Sequence, residues 1–106
     1  MAQFDVHRNM GKNRDAIPFV VLVQSSIFDS YRRRVVVPLV RKSTLEKISD
    51  ARFNPTFKID GIAVVLHPLE IASVANERLG AFVESMASDR NRIMDALDEL
   101  LTHAWG

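Results

Sequence analysis

Few residues in this sequence have the types and spacing that catalysis requires. Three histidines lie far apart and match no metal-ligand spacing: His7, His67 and His103. Ser25 and Ser26 could supply a nucleophile, but no base accompanies them in the sequence. The chain has four glycines, none of them in a phosphate-binding loop, and no carboxylate pair with a catalytic spacing. We therefore expect no catalytic residues, no metal site and no cofactor.

Other residues are better suited to contact with a partner. Trp105, the single tryptophan, is the next-to-last residue and follows a helix-like pattern. Such a residue either folds back over the core, which is the commoner case, or stacks on a cation as a binding hot spot. Ile27 and Phe28 lie among turn-forming residues, where large apolar side chains either anchor a loop in the core or form an exposed contact patch. Both questions stay open at this point.

Basic residues are concentrated in the first part of the chain. Residues 1–60 hold 11 Lys/Arg and 6 Asp/Glu, whereas residues 61–106 hold 3 and 7. This distribution indicates two faces with different partners, and a general nucleic-acid binder would have a larger basic excess. Arg32, Arg33 and Arg34 point alternately to opposite faces if they lie in a strand. We expect them to form a solvated edge with one structural ion pair.

Short strands followed by one helix must position these residues. Alternating polarity and β-branched runs predict strands at Gln3–His7, Phe19–Gln24, Tyr31–Val40, Thr56–Ile59 and Ile62–Leu66, and one or two more within 71–79. Asp60-Gly61 predicts a type I′ hairpin turn. Residues 8–15 predict a surface loop, and Pro38 an edge or a bulge. Ser43 is expected to cap a short helix or turn, because Glu46 follows at the capping-box spacing.

The last segment predicts an amphipathic helix of about four turns over residues 88–103, capped by Ser88 or Asp89. Its apolar stripe consists of Met86, Ile93, Leu97, Leu100 and Ala104, widened by Met94 and Leu101. We expect one mainly β (α+β) domain over residues 1–106. An antiparallel sheet or small barrel over residues 1–80 carries the helix.

The composition indicates an intracellular protein. Cysteine is absent, and the apolar and charged fractions of 47% and 25% are ordinary. The first residues lack the pattern of a signal peptide, and the apolar run Phe19–Val23 is too short to cross a bilayer. We expect a cytoplasmic protein without a membrane partner. A homodimer would add buried surface to a chain of 106 residues.

An ordered set of residues resembles the CcdB family, the toxin half of the CcdA/CcdB addiction modules. The set comprises Gln3-Phe4, Val23-Gln24-Ser25, Ile27, Asp29, Arg33-Arg34, Pro38-Leu39, Pro55, Ile59, Ala72-Ser73-Val74, Gly80, Asn91-x-Ile93 and Ala96. The resemblance implies a homodimer of SH3-like antiparallel barrels with small additional strands and one C-terminal helix. It also implies a toxin without enzymatic activity. Proteins of this kind bind the GyrA subunit of DNA gyrase and trap the cleavage complex, and a CcdA-like antitoxin removes them. DNA is then reached only through gyrase or the antitoxin complex.

The resemblance also assigns gyrase contacts. Gln3, Phe4, Ser25 and Ile27 match family positions, His7 replaces an aromatic residue, Phe28 an aliphatic residue and Asp98 an amide. At the helix end, the family's terminal tryptophan stacks on a GyrA arginine, which assigns that contact to Trp105 and its neighbour Gly106. In a gapless alignment Trp105 comes three residues late and lacks the final Ile. In a helix this moves the ring about 4.5 Å along the axis, while keeping it within roughly 60° of its expected direction.

Two alternatives remain at this stage. An endoribonuclease like MazF would need an RNA-cleaving set, for which Arg33 with Ser25 or His7 is the candidate. A CcdB homologue that keeps the fold without poisoning gyrase would be consistent with the shifted Trp105.

Overall fold

The computed structural model describes residues 2–45 and 50–102, which form one curled antiparallel sheet and one α-helix. The strands are β1 (Asp5–Asn9), β2 (Phe19–Leu22), β3 (Arg33–Arg41), β4 (Thr56–Ile59), β5 (Ile62–Leu66), β6 (Ala72–Ala75) and β7 (Leu79–Ser85), and the helix is α1 (Arg90–Leu101). Short 3-10 turns occupy Ser26–Phe28, Lys42–Thr44, Pro68–Glu70, Asn76–Arg78 and Ala87–Asp89. This is the expected mainly β, SH3-like architecture.

Strand β3 organises the sheet, whose order is β4-β5-β3-β2-β1-β7. One edge of β3 pairs with β2, while the other edge pairs with β6 through Arg33–Val36 and with β5 through Leu39–Arg41. Pro38 lies between these two pairings, and its carbonyl accepts the N–H of His67 at 3.1 Å. The missing proline N–H therefore falls in the gap between β6 and β5, where it removes no ladder hydrogen bond.

The hairpin between β4 and β5 confirms its sequence signal. Asp60 and Gly61 have φ angles of 51° and 78°, and the strands pair from Ile59–Ile62 outwards. Positive φ at both central positions is the requirement of a type I′ turn, whose twist matches that of the strands. The Asp60 carboxylate also pairs with Arg8 of β1 at 3.1 Å, which fastens the turn to the other side of the curled sheet.

The core fills the concave side of the sheet and is closed by α1. Ile93, Ala96 and Leu97 are the buried residues of the helix. They belong to one apolar cluster with Phe4, Val6, Phe19, Val21, Val37, Leu39, Phe57, Ile59, Val64, Leu66 and Met86. Arg92 adds a polar clamp, because its guanidinium lies 4.2 Å from the centre of the Phe57 ring and donates to the Thr56 carbonyl at 2.9 Å. The helix is thereby held against β4.

Several predicted boundaries are wrong. The first strand begins at Asp5 and not at Gln3, because Phe4 adopts a φ of 71° that no strand residue has. Arg8 and Asn9 extend that strand into the predicted loop, and the sheet continues past residue 80 to Ser85 because β7 pairs along β1. The short helix or turn predicted near Ser43 is a 3-10 turn over Lys42–Thr44, but Arg41 and not Ser43 occupies its cap position, and Thr44 Oγ1 donates to the Arg41 carbonyl. Glu46 lies outside the described residues.

Two features of the predicted helix are wrong: its first residue and the width of its buried apolar stripe. It begins at Arg90, after a 3-10 turn, and Asp89 occupies the cap position without a side-chain cap bond. Met94 and Leu101 are 40% and 70% exposed, so they do not widen the buried stripe. His103 and Ala104, at the end of the predicted helix, lie outside the described residues. No helix in residues 2–45 and 50–102 is long and apolar enough to span a membrane.

A substitution at Gly80 tests the close packing of β7 on β1. A Cβ built there would lie 2.7 Å from the Arg8 carbonyl oxygen and 3.0 Å from the Arg8 Cβ. We expect Gly80→Ala to lower the free energy of unfolding by about 1–3 kcal/mol, because backbone must shift to admit the methyl group. Urea unfolding measures this. Gly11→Ala is the control, because its added Cβ meets only the ends of the Asn9 and Asn13 side chains; an equal loss in both variants would contradict the packing argument.

Candidate functional site

The loop between β2 and β3, residues 23–32, exposes large apolar side chains. Its 3-10 turn is closed by the Phe28 N–H donating to the Ser25 carbonyl at 3.1 Å, and the Ser25 hydroxyl accepts the Ile27 N–H at 3.4 Å. Ile27 is 77% exposed, and Phe28 is also exposed, with its ring edge-on to that of Tyr31 at 5.8 Å between centroids. Of the two readings of Ile27 and Phe28, the structure supports the exposed patch. We call Ile27, Phe28 and Tyr31 the apolar loop cluster.

Among the residues that the structure describes, the arginine run behind this loop forms no ion pair, contrary to expectation. Arg33 donates to the hydroxyl and the carbonyl of Ser73 at 2.7 and 2.6 Å, which fastens β6 to β3. Arg34 is buried beneath the loop and donates to the carbonyls of Asp29, Tyr31 and Arg33. The ion pairs in the described part of the chain involve other arginines. Backbone carbonyls, and not carboxylates, therefore satisfy this segment's buried charge.

The chain start lies next to the loop. Gln3 Nε2 donates to the Val23 carbonyl at 3.0 Å, so its side chain meets the first residue of the loop. Phe4 is 7% exposed and its ring belongs to the core. His7 is also buried, with Nδ1 at 2.9 Å from the Gly80 carbonyl and its ring edge-on to Phe82. Of these three predicted contacts, Gln3 is the most exposed to solvent. Phe4 and His7 are buried beneath the surface.

A second apolar surface lies on the outer face of α1. Met94, Asp98 and Leu101 are spaced four and three residues apart, which places them on one face of the helix, and all three are exposed. We call this set the outer helix face. Trp105 and Gly106 lie outside the described residues. In the sequence, Trp105 follows Leu101 by four residues and so continues the same spacing.

Tyr31, Met94 and Leu101 were missed as surface candidates from the sequence. Tyr31 was assigned to the start of a strand, and the two helix residues fit the helical period equally well inside or outside the core. The available signal was Asp98, since a carboxylate between Met94 and Leu101 places that face in water.

Of the residues proposed for RNA cleavage, His7 lies far from Arg33, and the Arg33 and Ser25 side chains are each engaged in structural hydrogen bonds. His7 pairs with Val20, which pairs with Pro38, so Arg33 lies five residues further along β3. That separation is about 16 Å along the strand. The Arg33 guanidinium is bound to Ser73, and the Ser25 hydroxyl caps the 3-10 turn. Within the described residues, no three His, Asp or Glu side chains cluster closely enough to hold a metal ion.

Comparison with known proteins gives one family and a shared fold. A family model described as CcdB protein matches residues 3–103. Among solved structures, an endoribonuclease in complex with its cognate antitoxin from Mycobacterial species is similar, with a TM-score of 0.74 and 16% identity over 100% of this chain and 99% of that chain. An endoribonuclease from Mycobacterial species has a TM-score of 0.71 and 16% identity over 100% and 95%. At such identity these two show the fold alone. No curated protein sequence matches.

Phe4 and Phe28 allow a matched test of the burial just described. Phe4→Ala removes a ring from the core and is expected to lower the free energy of unfolding by about 3–5 kcal/mol. Phe28→Ala makes the same truncation in the exposed loop and should cost about 1 kcal/mol or less. Thermal or urea unfolding distinguishes them. Equal destabilisation would show that Phe28 is a core anchor.

Proposed function

Because the chain belongs to the CcdB family, we propose that it is the toxin of a toxin–antitoxin pair, binds the GyrA subunit of DNA gyrase and traps the gyrase–DNA cleavage complex. The observation that carries this proposal is the apolar loop cluster. The family resemblance assigns Ile27 and Phe28 to gyrase contact, and in the structure these side chains are exposed on an ordered turn.

An exposed cluster of this kind suits a binding role better than a structural one. Ile27 adds nothing to the core, since most of its side chain is in water, and covering it with a partner recovers its hydrophobic free energy. Ser25 fixes the turn that presents it. Gln3 lies beside the loop through its bond to Val23, so that polar and apolar contacts adjoin, as they do at the edge of a typical interface.

The outer helix face supplies the second contact. Asp98 stands between Met94 and Leu101, and its carboxylate provides an acceptor for a GyrA arginine. Trp105 supplies the aromatic ring that stacks on that arginine. Phe4 and His7 contribute indirectly, by holding the start of the chain and β7 in place. Gly106 lets the partner approach the Trp105 backbone closely.

The remaining partners follow from the same proposal. The toxin acts as a homodimer in the cytoplasm, where two copies of the surface meet the two-fold symmetric GyrA dimer. A CcdA-like antitoxin neutralises it with a segment that folds on binding. One of the similar structures is described as being in complex with its cognate antitoxin. The toxin reaches DNA only through gyrase or the antitoxin complex.

An endoribonuclease activity is the second candidate, and the likeness to two endoribonuclease structures is the observation that favours it. The separation of Arg33 from His7 along the sheet weighs against it. Incubating the purified protein with RNA in the absence of gyrase tests this directly. Cleavage that Arg33→Ala abolishes would establish the nuclease and displace the gyrase proposal.

Gyrase supercoiling and cleavage assays test the main proposal. The purified protein should inhibit supercoiling and raise the amount of cleaved DNA, and Trp105→Ala should abolish both effects and growth arrest. The reason is that loss of the ring removes stacking and desolvation at a hot spot. Gel filtration shows whether the variant is still a folded dimer. Unchanged poisoning by Trp105→Ala would refute the assigned role, and a wild-type protein without effect would indicate a homologue that no longer poisons.

Two exposed residues at opposite ends of β2 test the binding surface. Ile27 lies in the loop that follows β2, and Met10 in the loop that precedes it. Both are large, apolar and mostly exposed. Ile27→Ser should weaken affinity for a GyrA fragment by roughly tenfold or more, as expected of a hot-spot residue. Met10→Ser should leave that affinity unchanged. Equal losses, measured by calorimetry, would show that the surface lies elsewhere.

A further inference from the structure

The loop that carries the apolar cluster is braced by the side-chain amide of Gln24. Its Nε2 lies 3.3 Å from the carbonyl oxygens of both Phe28 and Arg33, and its Oε1 accepts the Val35 N–H at 3.1 Å. An amide group has two donors, and both are used here, one on the last residue of the 3-10 turn and one on the first residue of β3. One side chain therefore links the end of the 3-10 turn to the start of β3.

Arg34 braces the same loop from below. Its side chain is 4% exposed, and its guanidinium donates to the carbonyls of Asp29 at 2.6 Å, Tyr31 and Arg33. A buried charge is costly unless hydrogen bonds satisfy it. The acceptors that satisfy this charge are two loop carbonyls and the carbonyl of Arg33, the first residue of β3. The position of the guanidinium and the path of the loop therefore determine each other.

The acceptors of both side chains flank the exposed aromatic rings. Gln24 holds the carbonyl of Phe28, and Arg34 holds that of Tyr31. Without these bonds, water would satisfy the same carbonyls in many loop conformations. A partner would then have to order the loop on binding, which lowers affinity. A methionine or leucine could fill the same buried volume at position 34, but it would supply no donor to the loop.

We propose that Gln24 and Arg34 are positioning residues that hold the apolar loop cluster in its binding geometry before the partner arrives. The inference rests on the proposed function for its consequence, GyrA binding, but the ordering of the loop can be measured in the free protein.

Amide hydrogen exchange, read by NMR in the free protein, provides that measurement. The amides of Phe28, Asp29 and Tyr31 are hydrogen-bonded within the loop, to Ser25, Ser26 and Phe28. Arg34→Met and Gln24→Leu should each raise their exchange rates by roughly tenfold or more, because bonds to the loop carbonyls are lost. Amides in β2 and β5 should keep their rates. Arg34→Lys, which retains charged donors, should show an intermediate change.

Arg32→Met is the matched control. Arg32 is exposed in the same loop, and its backbone carbonyl accepts the Asn76 N–H. The variant loses the same charge and should leave loop exchange unchanged. Unchanged exchange in Arg34→Met and Gln24→Leu would overturn the inference. If Arg34→Met loses amide protection throughout the sheet, the variant is destabilised as a whole, and the test then rests on Gln24→Leu and Arg34→Lys. Unchanged loop exchange in both of these variants would overturn the inference.

Affinity for a GyrA fragment completes the test. Arg34→Met and Gln24→Leu should weaken binding by roughly tenfold, because the partner must then order the loop. Arg34→Lys should weaken binding by less, because it keeps part of the hydrogen bonding to the loop. Faster loop exchange with unchanged GyrA affinity would overturn the positioning role. If the wild-type protein does not bind GyrA, the proposed function fails, and the exchange rates still show whether the two side chains order the loop.

Discussion

The backbone of Phe4 is the constraint on which the rest of the structure depends. Its φ of 71° lies in the left-handed region, which is unfavourable for a bulky residue and costs on the order of 1–3 kcal/mol. The surrounding bonds over-determine this conformation. The Phe4 N–H donates to the Leu22 carbonyl at 2.6 Å, and the Phe4 carbonyl accepts the Met86 N–H at 2.8 Å. The ring enters the core at the same point. One residue thus connects the start of the chain, the end of β2 and the segment that leads into α1.

This connection explains why the two exposed surfaces can be held by one small domain. The loop that carries Ile27 begins immediately after β2. Gln3, the neighbour of Phe4, donates a side-chain hydrogen bond to the Val23 carbonyl at the start of this loop. On the other side, Met86 leads through a 3-10 turn to α1, whose buried residues pack in the same core cluster as Phe4. The helix therefore cannot move far without disturbing the Phe4 ring. A left-handed residue at this position turns the chain just before β1, which a continuous strand from Gln3 would not do.

Much of the architecture could be predicted from the sequence, because local signals agree with the final packing. Asp60-Gly61 demands one turn type, and the apolar run after Pro18 has one sensible use as a buried strand. Phe4 could not be predicted, since its alternation with Val6 is typical of a strand. In the structure the Asp5 N–H instead closes a turn on the Ala2 carbonyl, and long-range bonds to Leu22 and Met86 hold the Phe4 backbone. The predicted burial of Leu101 is wrong for another reason. Its helical spacing is compatible with either face of the helix, and the sheet that selects the buried face is distant in sequence. The arginine run 32–34 predicts one ion pair, whereas the acceptors of Arg34 are backbone carbonyls, which every residue possesses and no sequence pattern reveals.

The shared fold of this chain and the endoribonuclease structures does not decide between their chemistries, because one barrel can carry unrelated sites on its loops. What separates the two functions is the use of individual side chains. A nuclease centre requires polar groups that remain free to meet the scissile phosphate, and here Arg33 is committed to Ser73 and Ser25 to its own turn. His7 is committed as well, between the Gly80 carbonyl and the Phe82 ring. The large apolar side chains left in water beside them are Ile27, Phe28 and Tyr31, which can exclude water from an interface. A surface of this composition gains free energy by being covered.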